Sequence, residues 1–280
     1  MSKAESKYGD WALITGGSAG IGLAFAHELA AKGQNLILVA RGQKALDASA
    51  DELTAQYGVK VQTVAIDIST PEGPRNLYEQ TKDKQPGLVV LSAGMESTGH
   101  FTKIAADAHR NLIDLNIQAP AELARLYGAD MVARRSGGIV FLSSVFGYQG
   151  VPLVANYAAS KAYILALGEA LHVEMKPHGV DVLVVSPGLT DTALASNMPV
   201  NFRKMPITKH KPAKVARVGL KALGRKASVV PGFLNNIFVL ENRFIPRLWP
   251  VHLFGFLLRN AMHKDKRPQL LNLKSVRNAP

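Results

Sequence analysis

Tyr157 and Lys161 stand four residues apart in NYAASKAYI, residues 156–164, where the density of alanine gives the stretch a helical character. On a helix, positions i and i+4 share a face, so this phenol and this ammonium can address one ligand. A free tyrosine has a pKa near 10, about three units too high to exchange protons readily at neutral pH. A neighbouring cation stabilises the phenolate, and the alanines between the two are small enough to let a ligand lie close. A Y-x-x-x-K pair is common, so its meaning rests on what surrounds it.

A second group of chemistry-bearing residues lies about 140 positions upstream. TGGSAGIG, Thr15 to Gly22, follows the apolar run WALIT (11–15). It leads into AGIGLAFAHELAAKG, apolar at helical spacing, with Gly33 as a stop signal. Glycines at a strand-to-helix turn permit a tight bend, let the backbone approach a pyrophosphate, and aim a helix N-terminus at its charge. Gly16, Ser18, Gly20, Ile21 and Gly22 are therefore expected dinucleotide contacts. An NAD site ordinarily places a carboxylate at the end of the next strand to bind the adenosine ribose. No Asp or Glu lies between Gly33 and Lys44, and Arg41 takes that place after NLILVA (35–40). A guanidinium pairs with a 2′-phosphate and stacks on adenine, which favours NADPH/NADP over NADH. A solvated arginine at a strand end is the alternative reading of the same residue.

The spacing TGxxxGxG, combined with YxxxK and a strand ending FLSS (141–144), resembles the short-chain dehydrogenase/reductase family over roughly residues 8–232. The resemblance implies roles. Tyr157 would give a proton to a carbonyl oxygen during reduction. Ser144, 13 residues before it, would hydrogen-bond that oxygen. Lys161 would bind the nicotinamide ribose and lower the tyrosine pKa. Asn116, in LIDLNIQ, would hold a water that links Lys161 to solvent. Asp67, closing KVQTVAID (60–67), would contact adenine. Pro187 and Gly188, in PGLTDT (187–192), would meet the nicotinamide carboxamide, with Thr190 and Thr192 as its donors or acceptors. Ala93 and Gly94 close the segment Leu91-Ser92-Ala93-Gly94, where the family has Asn-Asn-Ala-Gly. Both asparagines are missing, so support of the central sheet is expected from elsewhere, with Ser92 the candidate. A second departure is the glycine loop itself. Gly17, Ser18 and Ala19 offer no basic residue, which NADP-preferring members often carry there.

These residues need a scaffold. GLVVLSA (87–93), GGIVFLSS (137–144) and GVDVLVVSPG (179–188) continue the series of apolar strands, and ASVVPG (227–232) is a candidate for the last. Helical segments fall at about 43–57, 71–84, 107–135 and 155–177. Apolar strands alternating with helices predict an α/β fold, a Rossmann-type doubly wound parallel sheet of about seven strands with helices on both faces. With 47% hydrophobic residues in 280, the chain can bury one such core. Residues 1–232 are expected to form the dinucleotide-binding catalytic domain, and 233–280 a helical C-terminal extension packed on it or on a membrane surface.

Charge separates the two parts. Residues 199–280 carry +15, with 17 lysines and arginines against Glu241 and Asp265 alone, while residues 1–198 carry −3, which gives the chain its net +12. KHKPAKVARVGLKALGRK (209–226) reads as a basic amphipathic helix, and the sequence after Gly232 mixes large apolar residues with Arg and Lys. That composition admits packing on the core as a substrate lid or subunit contact, or docking on an anionic membrane. Nucleic-acid binding is set aside, because no recognised module is present and the apolar content is too high. Within the family, such an extension resembles enzymes acting on long-chain acyl, steroid or retinoid carbonyls, which implies an apolar ketone or aldehyde substrate. Family members usually pair through the helices carrying Asn116 and Tyr157, which implies a homodimer. The chain has no cysteine, no HExxH among its eight histidines, and a polar N-terminal stretch. Those features predict no metal and a reducing, cytoplasmic setting, with peripheral membrane contact through the extension. The rival readings are a dinucleotide-binding protein that does not turn over and a peripheral membrane protein whose main task is interaction.

Overall fold

Successive residues of a strand face opposite ways, so runs such as ALIT and LVVL supply apolar side chains to both faces of a sheet. The computed structural model of the chain, which describes residues 7–205, 207–241 and 244–262, uses them in that way. Strands β1 (Trp11–Thr15), β2 (Asn35–Ala40), β3 (Val61–Ala65), β4 (Leu88–Leu91), β5 (Gly137–Leu142), β6 (Val180–Val185) and β7 (Ser228–Val229) form one parallel sheet. Their order is β3-β2-β1-β4-β5-β6-β7. Ala12, Ile14, Leu88 and Val90 pack to one side, under helices α1 (Gly20–Ala30), α2 (Gln43–Tyr57) and α8 (Pro212–Ala222). Leu13, Val89, Ile139 and Phe141 pack to the other, under α3 (Gly73–Thr81), α5 (Ala119–Ala133) and α6 (Ala155–Met175). This is the doubly wound α/β fold that the sequence predicts. The order of the strands reverses between β1 and β4, and a ligand crevice belongs at the carboxyl ends of strands at such a point.

One segment departs from the sequence reading. The expected helix over 107–135 is two: α4 (Ala106–Ile113) and α5, joined by a π-helical turn over Asp114–Gln118 that carries Asn116. Pro120 at the start of α5 lacks an N–H to continue the upstream ladder, and the wider turn absorbs the mismatch. The basic stretch 209–226 forms an amphipathic helix, as its pattern predicts, and that helix packs on the sheet. In α8, Val215, Ala216, Gly219 and Ala222 are buried, with Gly219 close to Phe25 and Val185. Its lysines and Arg217 occupy the outer face, where Arg217 pairs with Glu28 at 3.2 Å.

A third apolar cluster lies off the sheet. Val151, Val154, Ala158, Met198, Val200 and Met205 pack against Phe254, Leu258 and Ala261 of α10 (Leu248–Ala261). With α9 (Phe233–Glu241) and the short α7 (Ala193–Asn197), α10 forms a cap on the carboxyl side of the strands.

Candidate active site

The glycine turn between β1 and α1 is fixed by sterics. Gly16 and Gly20 have φ of 68° and 57°, a region that costs other residues strain. A Cβ on Gly22 would sit 2.2 Å from the Gly16 carbonyl oxygen, and one on Gly16 would press on the Ala93 backbone at 3.1 Å. Ala19 caps α1 without a side-chain bond, and the first turn holds no acidic residue. The amides there are open to an anion. Ser18, Ile21 and Arg41 border the same cavity, which has a volume of about 880 Å³.

Across the switch point, the Thr15 hydroxyl accepts hydrogen bonds from the amides of Ser92 (3.0 Å) and Ala93 (3.1 Å). Thr15, not the Ser92 side chain, is thus the polar link that supports the strand ends where the two family asparagines are absent. Sequence reasoning had this threonine in its motif but gave it no task. Asp67 also borders the cavity. Its carboxyl is held below the usual range first by hydrogen bonds from the Ser69 hydroxyl (2.6 Å) and amide (2.9 Å), and further by the charge of Arg41.

Helix α6 brings Tyr157 and Lys161 to the cavity wall, where they meet Ser144 from the end of β5. Burial pushes the Tyr157 phenol up to about 12; its hydrogen bond with Ser144 pulls the other way, and the charge of Glu96 pushes up again. Desolvation is the largest of these influences, so the phenol keeps its proton at neutral pH. The same burial lowers Lys161 to about 8. Its Nζ donates to the Leu142 carbonyl at 2.9 Å and stands 5.7 Å from the centre of the Tyr157 ring. Ser143 points to the rear of α6, where its hydroxyl donates to the Lys161 carbonyl at 2.7 Å.

Asn116 is buried behind the wall and does not border the cavity. Its amide nitrogen donates to the Met95 carbonyl (2.8 Å) and to Ser160 Oγ (3.1 Å), and its oxygen accepts from the Met95 amide (2.9 Å). Ser160 in turn donates to the Tyr157 carbonyl at 2.7 Å. Asn116 therefore clamps the loop after β4 to the first turns of α6. Gly94 must be small between them, since a Cβ there would lie 3.3 Å from Asn116 Oδ1 and 3.5 Å from Lys161 Nζ.

Pro187, Gly188, Thr190 and Thr192 close the cavity from the β6 side. Thr190 donates to the Gly188 carbonyl at 3.0 Å, and Thr192 caps α7 while approaching the glycine turn, so that a Cβ on Gly20 would meet its methyl at 3.2 Å. One further residue had no signal in the sequence. Asn235 of α9 is buried against Gly188, where any Cβ would collide with its amide at 2.5 Å, and it donates to the Pro231 carbonyl at 2.7 Å. Beyond Tyr157, Ser144 and Lys161 the wall turns apolar, with Met198, Phe202, Met205, Phe238, Phe254 and Leu257. Among the described residues, no group of three or more His, Asp or Glu is placed to hold a metal.

Residues 10–201, which hold the glycine turn, the tyrosine–lysine pair and the strand-end serine, match the family model described as short chain dehydrogenase. The chain belongs to the short-chain dehydrogenase family. It is an oxidoreductase of that family, and its relatives cover most of its length. The 7beta-hydroxysteroid dehydrogenase of Clostridium sardiniense is 30% identical over 244 residues, 87% of this chain and 93% of that protein. The very-long-chain 3-oxoacyl-CoA reductase of Phaeosphaeria nodorum is 33% identical over 285 residues, 97% of this chain and 81% of that protein. A solved short-chain dehydrogenase from Sphingobium yanoikuyae in complex with NADPH has a TM-score of 0.74 at 28% identity, over 84% of this chain and 93% of that one.

Proposed function

We propose that this short-chain dehydrogenase reduces apolar ketones or aldehydes with NADPH, and runs the reverse alcohol oxidation when cofactor ratios favour it. The observation that carries the reading is the junction inside one cavity: Tyr157, Ser144 and Lys161 lie between a glycine turn with Arg41 and a wall of large apolar side chains. The residues fit the cofactor. Gly22 and Gly16 leave room for a pyrophosphate on the open amides of α1, Arg41 suits a 2′-phosphate, and Asp67 suits the adenine. When bound, the nicotinamide supplies the hydride.

The chain's own groups do the rest. Ser144 orients the carbonyl oxygen by a hydrogen bond. Tyr157, kept protonated by burial, gives that oxygen its proton as negative charge develops on it. Lys161 holds the ribose hydroxyls, and its charge eases the loss of the tyrosine proton. Asn116 positions the loop at Met95 and the start of α6, and supports the water link that reprotonates the site. Pro187, Gly188, Thr190 and Thr192 hold the carboxamide side, with Asn235 behind Gly188.

Residues 1–232 form the catalytic domain in this reading, and 233–280 the extension that shapes the substrate end. Two further features belong to it. Exposed Ile113, Tyr163 and Val173 on α4 and α6 support pairing of two copies through that layer, and the basic, apolar extension supports peripheral contact with an anionic membrane. The test is a panel of ketones of graded chain length, assayed with NADPH and with NADH. Turnover with NADPH that improves with chain length is expected. No turnover of any carbonyl, or better turnover with NADH, would remove the proposal.

A further inference from the structure

The cap formed by α9 and α10 presents an apolar surface to solvent. Phe233 and Phe244 are each 80% exposed and Trp249 is 68% exposed, with Leu240, Leu248 and Phe256 exposed beside them. A chain of this size ordinarily keeps so many large apolar residues apart or covered. Three residues of this surface have a second role. Leu234 (55% exposed), Ile237 and Leu253 (52% exposed) also border the active-site cavity. They form its rim at the apolar end, so the surface and the mouth of the cavity are one feature. Arg41, Ser18 and Asp67 stand at the opposite, polar end.

Charge decides what covers the surface. Between Phe233 and Met262 the sequence has Arg243, Arg247 and Arg259 against Glu241 alone. Arg247 and Arg259 are exposed. A second copy docking here would set like charges against each other within an apolar contact and would seal both cavities. An anionic bilayer accepts the aromatic side chains into its interfacial region and pairs the arginines with lipid phosphates. No helix among the described residues is long and apolar enough to cross a membrane, so the contact is one of docking.

We infer that the α9–α10 face docks on an anionic phospholipid bilayer and that the apolar substrate passes from the bilayer into the cavity between Leu234, Ile237 and Leu253. This rests on the reading of the cavity as that of an apolar carbonyl reductase. It adds a route: the substrate reaches Tyr157 from the lipid without crossing water, while the cofactor enters from the polar end.

The test compares the full chain with the variant Phe244→Ser/Trp249→Ser/Phe256→Ser, three exposed residues that do not border the cavity, and with Arg247→Glu/Arg259→Glu. Binding is read by co-sedimentation with phosphatidylcholine vesicles, with and without phosphatidylglycerol. Turnover with NADPH is read on a water-soluble ketone and on a long-chain ketone dissolved in the vesicles. The wild type is expected to sediment with the phosphatidylglycerol vesicles. Both variants should lose roughly tenfold or more of that binding. They should lose turnover of the vesicle-borne ketone in proportion, and keep turnover of the soluble ketone within about twofold, which also shows that they are folded. A wild type that stays in solution, or variants that reduce the vesicle-borne ketone as the wild type does, would overturn the inference. So would a wild-type dimer, by sedimentation velocity, that the aromatic variant dissociates in the absence of any vesicle binding. A wild type that turns over neither ketone would instead remove the underlying reading of the cavity.

Discussion

The polar end of the cavity is walled by backbone. Gly16, Gly20 and Gly22 leave amides open, and Thr15 ties their strand to Ser92 and Ala93 across the switch point. The apolar end is walled by side chains from elements outside the sheet: Met198, Phe202, Met205, Phe238, Phe254 and Leu257. At the first end, sheet register and steric contact fix each position, so one added methyl matters. At the second, helices and loops packed on one another set the shape, and individual side chains can change without disturbing the sheet. One fold can thus hold one cofactor chemistry and serve many substrates.

The sharpest way to break the polar end is Gly22→Ala. Its Cβ would lie 2.2 Å from the Gly16 carbonyl oxygen, so the turn must move. NADPH binding is expected to fall by more than about a hundredfold, with folding destabilised by about 1–3 kcal/mol. Titration calorimetry and thermal melts read the two effects. Arg41→Ala comes next. Loss of a charged hydrogen bond to the 2′-phosphate should reduce the preference for NADPH over NADH roughly ten- to hundredfold, leaving the KM for NADH nearly unchanged. A KM for NADH that rises in step would show that Arg41 does not read the phosphate. Asn235→Ala probes the seam between the two ends. It removes the bond to Pro231 and the contact with Gly188, and should raise the KM for NADPH about fivefold. An effect confined to the ketone KM would assign Asn235 to the apolar end instead.

Smallest in amplitude is a pH effect. Burial lowers Lys161 to about 8 and raises Tyr157 to about 12. Both groups are protonated below about pH 7, so reduction should be flat there. Above pH 8 Lys161 loses its charge while Tyr157 keeps its proton, so kcat/KM for reduction should fall. Reduction that stays flat to pH 10 would show that the lysine charge is not used.

The polar end was legible in the sequence because its chemistry is local. TGGSAGIG, Arg41 and the tyrosine–lysine pair each sit within one turn or one strand end. The apolar strands declared the sheet, since burial on both faces leaves continuous hydrophobic runs. Contacts between distant segments were not legible. The hydrogen bonds of Thr15 to Ser92 and Ala93 join residues some 77 positions apart. Asn235 meets Gly188 only because α9 folds back against the segment that follows β6, and nothing in FLNNIF indicates that. The helix over 107–135 looked continuous because the π turn keeps helical composition. In 209–226 the amphipathic pattern was legible, but the small residues Ala216 and Gly219, which with Val215 face α1 and β6, carry no hydrophobic signal of their own.

The most direct measurement is NADPH-coupled ketone reduction by Tyr157→Phe, with cofactor binding followed in parallel by fluorescence. Removing one hydroxyl takes away the proposed proton donor and leaves both ends of the cavity in place. Turnover is expected to fall about a thousandfold while the Kd for NADPH stays within about threefold. Turnover within tenfold of the wild type would contradict the assignment of Tyr157 as the group that protonates the substrate.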